Sequence, residues 1–171
     1  MEERKGIITV QGNPLTLLGE TPSVGIAAPD FEVLAADLSP VKLSDFKGKV
    51  RIICSVPSLD TPVCDIETKK FNEKAASLGN DVVIMALSMD LPFAQARWCG
   101  AAGVENVKAY SDHRQADFGQ KYGVLIKELR LLARAVFVVD KKGAIRYIEI
   151  VPELTKEPNY ESAIDAAKKL L

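Results

Sequence analysis

Apolar residues in this chain come in short, dense runs, and the spacing of those runs predicts the fold. Val50 to Val56 and Val82 to Leu87 are nearly continuous apolar stretches of strand length, as expected of strands buried on both faces. Between them, a stretch from about Pro62 to Leu78 reads as a helix, which makes a βαβ unit. Phe93 to Cys99 suits a short helix and Val107 to Tyr110 a strand, and Gln115 to Tyr122 suits another helix stopped by Gly123. Ala135 to Asp140 and Ala144 to Val151 are strongly β-forming and join at Lys141-Lys142-Gly143, which favours an antiparallel hairpin and therefore a mixed sheet. Tyr160 to Leu171 closes the chain with Ile164, Ala167, Lys168 and Leu171 at helical spacing, the face expected to pack on the sheet.

The first forty-odd residues read differently. Ile7 to Val10 and Leu15 to Leu18 are apolar runs split by Gln11-Gly12-Asn13-Pro14, which predicts an N-terminal β-hairpin, read as a local appendage. Beyond the linker from Gly25 to Pro29, Phe31 to Leu34 and Val41 to Leu43 flank a bend at Leu38-Ser39-Pro40. Ser44-Asp45 then opens one helical turn before Gly48. The expected class is α/β, with a central mixed sheet flanked by helices.

Length and charge narrow the functional classes. A chain of 171 residues suits a single domain spanning 1–171. A net charge of −1 gives no electrostatic footprint for nucleic acid. The opening Met1-Glu2-Glu3-Arg4-Lys5 leads into no signal-peptide core, and nowhere do eighteen apolar residues run together. The expectation is a cytoplasmic protein that is not membrane-bound.

Cys54, Cys64 and Cys99 are too few and too odd in number for a secreted disulfide framework. With no C-x-x-C pair and a single histidine, His113, a structural zinc site would lack ligands at the usual spacing, so neither metal nor other cofactor is expected. Cys64 is differently placed. It follows Pro57-Ser58-Leu59-Asp60-Thr61-Pro62-Val63 at the junction of a buried strand and a helix, where open α/β sheets carry their sites. Thr61 reads as the N-cap, its hydroxyl oxygen accepting an orphan amide, and Pro62 as the first helical residue. Cys64 then sits in the first turn, where the helix dipole and unpaired amides favour the thiolate, the form that attacks an electrophilic oxygen. Asp65 and Glu67 oppose this with nearby negative charge, so a cation from elsewhere is needed. Arg134, standing just before the apolar run Ala135 to Val139, is the better choice over Lys69 and Lys70, with Arg130 four residues earlier competing for the same role. Full ionisation gains only about thirty-fold over a free cysteine, whereas enzymes gain about a million-fold or more. The remainder falls to positioning and charge stabilisation by the Thr61 hydroxyl, the first-turn amides and Arg134, with Pro57 shielding the loop.

Pro57-x-x-x-Thr61-x-x-Cys64 resembles the active-site motif of the peroxiredoxins. Ser88-Met89-Asp90-Leu91-Pro92-Phe93-Ala94-Gln95 leading to Arg97-Trp98-Cys99-Gly100 resembles the resolving-cysteine segment of their thiol peroxidase branch, and Leu132-Ala133-Arg134-Ala135-Val136 its active-site arginine strand. The similarity runs from about Gln11 to the C-terminus. It implies a thioredoxin-like fold and homodimers, with hydrogen peroxide and organic hydroperoxides as substrates and thioredoxin as reductant. Residue by residue, it implies Cys64 as the peroxidatic cysteine and Cys99 as the resolving one, joined in an intrachain disulfide, with Pro57, Thr61 and Arg134 in support. Cys54 lies outside that pattern. If both sulfurs start on separate helices, closing a disulfide requires Cα atoms within about 7 Å, so one of the two segments has to unwind.

Each assignment has a plainer competitor. A helix-start cysteine is as often an inert small hydrophobe as a nucleophile, and Cys54, inside a strand, fits that description better than Cys64 does. Arg134 can be a surface ion-pair residue, Thr61 only a cap, and His113 a solvated loop side chain. A thioredoxin-like reductase would need a second sulfur where Glu67 stands, and a redox sensor would pass on the Cys64 oxidation without turnover.

Overall fold

Period-two alternation within single strands decides where the core lies. A computed structural model describes residues 1–171 throughout. Its strands are β1 (Glu3–Val10), β2 (Asn13–Leu18), β3 (Glu32–Leu34), β4 (Pro40–Lys42), β5 (Val50–Ser55), β6 (Val82–Ser88), β7 (Val107–Ser111), β8 (Leu125–Ile126), β9 (Ala135–Val139) and β10 (Ile145–Ile150). The α-helices are α1 (Pro62–Ala75), α2 (Pro92–Ala102), α3 (Asp117–Lys121) and α4 (Tyr160–Lys168), and a 3-10 turn spans Leu43–Phe46. Seven strands form one mixed sheet in the order β10-β9-β5-β6-β7-β3-β4, with β5, β6 and β7 parallel and β9 antiparallel to β5.

Ile53, Met85, Phe137 and Val139 point to one face of this sheet, and Ile52, Cys54, Ile84, Val136 and Val138 to the other; all are buried. This is why β5 and β9 read as continuous apolar runs. One face is covered by α1 and α4, through Phe71, Ala163, Ile164 and Ala167. The other carries Phe31, Phe118 and Tyr122, whose rings pack against Phe137 and one another. Lys168 and Leu171, expected on the buried face of the last helix, are exposed: α4 ends at Lys168, and its buried stripe runs through Ala163, Ile164 and Ala167.

The helices and strands expected from periodicity are present, with shifted ends. The last part of the Pro62 to Leu78 stretch leaves α1 after Ala75, whereas α2 runs on to Ala102 and ends on Gly103 in the left-handed region. Gly103 and Val104 both donate their amides to the Cys99 carbonyl there. The N-terminal hairpin is not a local appendage. Its second strand pairs with β8, making a separate three-stranded sheet, and the hairpin buries Ile8, Leu15 and Leu17 in the core. Thr9 also donates its amide to the Pro152 carbonyl and accepts from the Leu154 amide, so the hairpin fixes the segment after β10.

Gly19 ends β2 at φ +87°, a conformation L side chains rarely adopt, and a Cβ there would lie 2.2 Å from the Gln120 carbonyl oxygen. Gly19→Ala is expected to destabilise the protein by about 2 kcal/mol or more, read as a lower urea midpoint. An unchanged midpoint would mean that the hairpin does not need this approach.

Candidate active site

The antiparallel pairing of β9 with β5 brings the two halves of the site together. Ser55, the last residue of β5, lies opposite Ala135, the first of β9, so Arg134 emerges beside the loop that begins at Val56. The Ser55 hydroxyl donates to the Ala133 carbonyl at 2.7 Å and fixes this junction in a buried setting. Between β5 and α1 the loop is held from below by Asp90. Its carboxylate accepts from the Ser58 hydroxyl (2.6 Å), the Leu59 amide (2.8 Å) and the Ser88 hydroxyl (2.7 Å). Pro57 and Leu59 are buried in this loop, while Asp60 and Thr61 are exposed.

Cys64 lies in the first turn of α1, fully buried, against Val56 and Leu59 with Trp98 packed alongside. Arg134 is 2% exposed and uses all three guanidinium nitrogens. Nε and Nη2 donate to the Leu154 carbonyl at 3.2 and 2.8 Å; Nη1 donates to Cys64 Sγ at 3.4 Å and to Glu67 Oε2 at 2.5 Å. The expected partnership of Cys64 and Arg134 is therefore present in the geometry. Arg130, the sequence competitor, is exposed at φ +55°.

Two expectations are corrected. Thr61 is the N-cap and Pro62 follows as N1, but the Thr61 hydroxyl does not accept an orphan amide; it donates to the Ser58 carbonyl at 2.8 Å. The hydroxyl closes the loop on itself at an exposed position. Glu67 is not a charge simply set against the thiol, because it is buried at 0% exposure and aimed at Arg134. Asp65 is likewise engaged, accepting from Trp98 Nε1 and from Lys69 Nζ, each at 2.9 Å. What sequence reading missed is Glu67 as the arginine's partner. The available signal was its position three residues after Cys64, on the same helix face.

Cys99 sits half-buried on α2, the next helix along, and Cys54 is buried in β5; all three cysteines are free thiols. Burial pushes the Cys54 thiol well above its usual range, and Glu67 adds to that; burial also pushes Cys99 up. The Asp65–Trp98 hydrogen bond ties the first turn of α1 to the residue before Cys99.

Burial opposes charge on both members of the Glu67–Arg134 pair. It pushes the Glu67 carboxyl up to about 7 against the pull of the guanidinium, whereas Arg134, drawn by Glu67 and Cys64, stays above its usual value. Glu67 Oε1 has no hydrogen-bond partner, which is where a proton would reside. Because its folded-state pKa is raised, Glu67 contributes stability that is complete below the unfolded value near 4.5 and lost as pH rises through about 7. Asp112, pushed by burial to about 6, acts in the same sense at lower pH. Unfolding free energy is expected to fall by roughly 1–3 kcal/mol across that window. Glu67→Gln is expected to flatten the upper part of the slope in chemical denaturation at a series of pH values. An identical slope in the variant would remove Glu67 from the account.

Residues 23–164 match the model of the redoxin family. The chain is 58% identical to a thiol peroxidase from Halalkalibacterium halodurans over 96% of its length and 98% of the relative's. It is 56% identical to one from Bacillus subtilis with the same coverage. The crystal structure of a peroxiredoxin-like protein from Aquifex aeolicus superposes over the whole of both chains with a TM-score of 0.91 at 44% identity. The fold also matches a thiol peroxidase from Chromobacterium violaceum, with a TM-score of 0.82 at 21% identity over 95% of this chain and 93% of that one. A thioredoxin-like sheet that places a buried cysteine at a helix start against an arginine is thus accompanied by full-length similarity, and the chain belongs to the redoxin family as a peroxiredoxin-type peroxidase of the thiol peroxidase branch.

Proposed function

We propose that Cys64 reduces hydrogen peroxide and organic hydroperoxides, that Cys99 resolves the product as an intrachain disulfide, and that thioredoxin resets the pair. The observation that carries this reading is the 3.4 Å contact between Arg134 Nη1 and Cys64 Sγ, inside a frame that leaves the guanidinium no other orientation. The Cys64 thiolate attacks the terminal peroxide oxygen. The S–O bond forms as the O–O bond breaks, and the departing oxygen leaves as an alkoxide or hydroxide that takes a proton to become alcohol or water. Arg134 holds positive charge where the leaving oxygen gains negative charge. The Thr61 hydroxyl and the first-turn amides of α1 orient the peroxide at the exposed rim, and Pro57 keeps the loop closed beneath it.

The Cys99 thiol then displaces hydroxide from the Cys64 sulfenic acid, forming the disulfide and releasing water. Both cysteines lie within helices, so closure requires unwinding of the first turn of α1 or of α2 around Cys99. The Asp65–Trp98 bond holds the two segments in their helical arrangement and so resists that unwinding, and the Cys99 carbonyl anchors the end of α2. Ile66 (44% exposed), Leu91 (52%) and Phe93 (63%) are large apolar side chains left open on these same segments, which supports a homodimer packed next to the site. We read residues 1–171 as one domain working in the cytoplasm, in keeping with three cysteines and no extracellular disulfide pattern.

One equivalent of hydrogen peroxide given to the reduced protein is expected to produce a Cys64–Cys99 link within single chains, mapped by mass spectrometry. In Cys99→Ser a Cys64 sulfenic acid should persist, and Arg134→Lys should slow peroxide consumption roughly a hundredfold. A persistent sulfenic acid in the unaltered protein would make it a one-cysteine peroxidase; no oxidation of Cys64 would end the proposal. Asp65→Ala, which leaves Trp98 as a fluorescent reporter, is expected to speed disulfide closure up to about tenfold in stopped flow. An unchanged closure rate would show that the Asp65–Trp98 bond does not restrain the helices.

A further inference from the structure

Arg51 is a second buried arginine, at the opposite end of β5 from the active site, about 13 Å along the strand from Ser55. It is 2% exposed yet poorly satisfied. Nη2 donates to the Asp140 carbonyl at 2.6 Å, Nε has no partner, and no hydrogen bond or salt bridge engages Nη1. Both nearby carboxylates are committed elsewhere. Asp140 accepts from the Lys142 and Ala144 amides and from Arg146 Nε; Asp30 accepts from the Phe31 amide and from the Ser44 amide and hydroxyl. Burial works against the Arg51 charge, only partly offset by Asp140, Tyr122 and Asp30. An arginine kept in such a place is an electrostatic cost that an anion would relieve.

The surroundings fit that requirement. Arg51 lines an open cleft of about 570 Å³ between the 3-10 turn and the β9–β10 turn, together with Lys47, Lys141, Lys142, Ser44 and Asp30. Four cations face one carboxylate, a local excess of three positive charges on a chain whose net charge is −1. The volume lies within the range of small-molecule sites, and a guanidinium fork with flanking ammonium groups matches the charge and geometry of a phosphoryl group. We propose that this cleft binds a small phosphate-bearing anion, with Arg51 as the buried anchor and Lys47, Lys141 and Lys142 as the rim. The site is independent of the cysteine chemistry, since none of these residues touches Cys64, Cys99, Arg134 or the Asp90-held loop.

The test is a titration of the reduced, isotopically labelled full chain by NMR at low ionic strength, with sodium pyrophosphate in one arm and adenosine monophosphate in the other. One saturable site is expected, with the largest shifts at the Arg51 Nε–H and at the Lys47, Lys142 and Gly143 amides. Lys47→Glu and Lys142→Glu, both surface changes, should each weaken binding about tenfold while peroxide turnover stays as it was. Binding of pyrophosphate alone would make the ligand a free inorganic anion, and equal or tighter binding of the nucleotide would make it the phosphate end of an organic molecule; both support the site. Non-saturating shifts scattered over surface lysines, or affinities unchanged in both variants, would overturn it.

Discussion

The buried contact of Arg134 with Glu67 and Cys64 is the constraint on which the rest of the site depends. A guanidinium taken out of water costs least when its donors have geometrically sound acceptors, and for Arg134 these are Leu154, Glu67 and Cys64. Two acceptors come from α1 and the third from the segment after β10, so helix α1, strand β9 and that segment have to be in register before the charge can be buried. The N-terminal hairpin belongs to this frame, because Thr9 holds the backbone on both sides of Glu153 and so places the Leu154 carbonyl.

The same arrangement couples two properties that are usually discussed apart. An ionised Glu67 would draw the guanidinium toward itself, and a protonated one would leave more of its charge for the sulfur and for an incoming peroxide. One carboxyl group thus bears both on how firmly the fold is held and on how much of the guanidinium charge faces the Cys64 sulfur. The Asp90 network differs in kind: it joins hydroxyls and one amide to a half-buried carboxylate, and it fixes the loop's shape without setting its charge.

Much of this was legible in the order of residues. The βαβ unit followed from two unbroken apolar runs with a helix between them, and Thr61-Pro62 marked the start of α1 by proline's tolerance for a first-turn position. The hairpin β9–β10 followed from β-forming runs about a glycine turn at φ +93°. Other features left no trace in periodicity. Two residues, Leu125 and Ile126, are too few to show a strand pattern, so the pairing of β8 with the N-terminal hairpin could not be read and the hairpin looked detached. The direction of the Glu67 side chain depends on which strand lies next to β5, a long-range pairing. The Thr61 hydroxyl turned toward Ser58 because a tight loop offered a closer acceptor than the helix offered donors.

The two ends of the main sheet carry a further consequence. One border strand, β4, is three residues long, opens on Pro40 and closes on Lys42; the other, β10, loses register with β9 between Ile145 and Tyr147. A strand that lacks an amide at its first position and one bent by an irregularity are both poor templates for adding a neighbour. Copies of this protein are thereby discouraged from joining sheet to sheet. On the proposed cycle that protection would matter most when the cysteine helices open, since each opening would expose apolar surface while the borders of the sheet stay closed to extension.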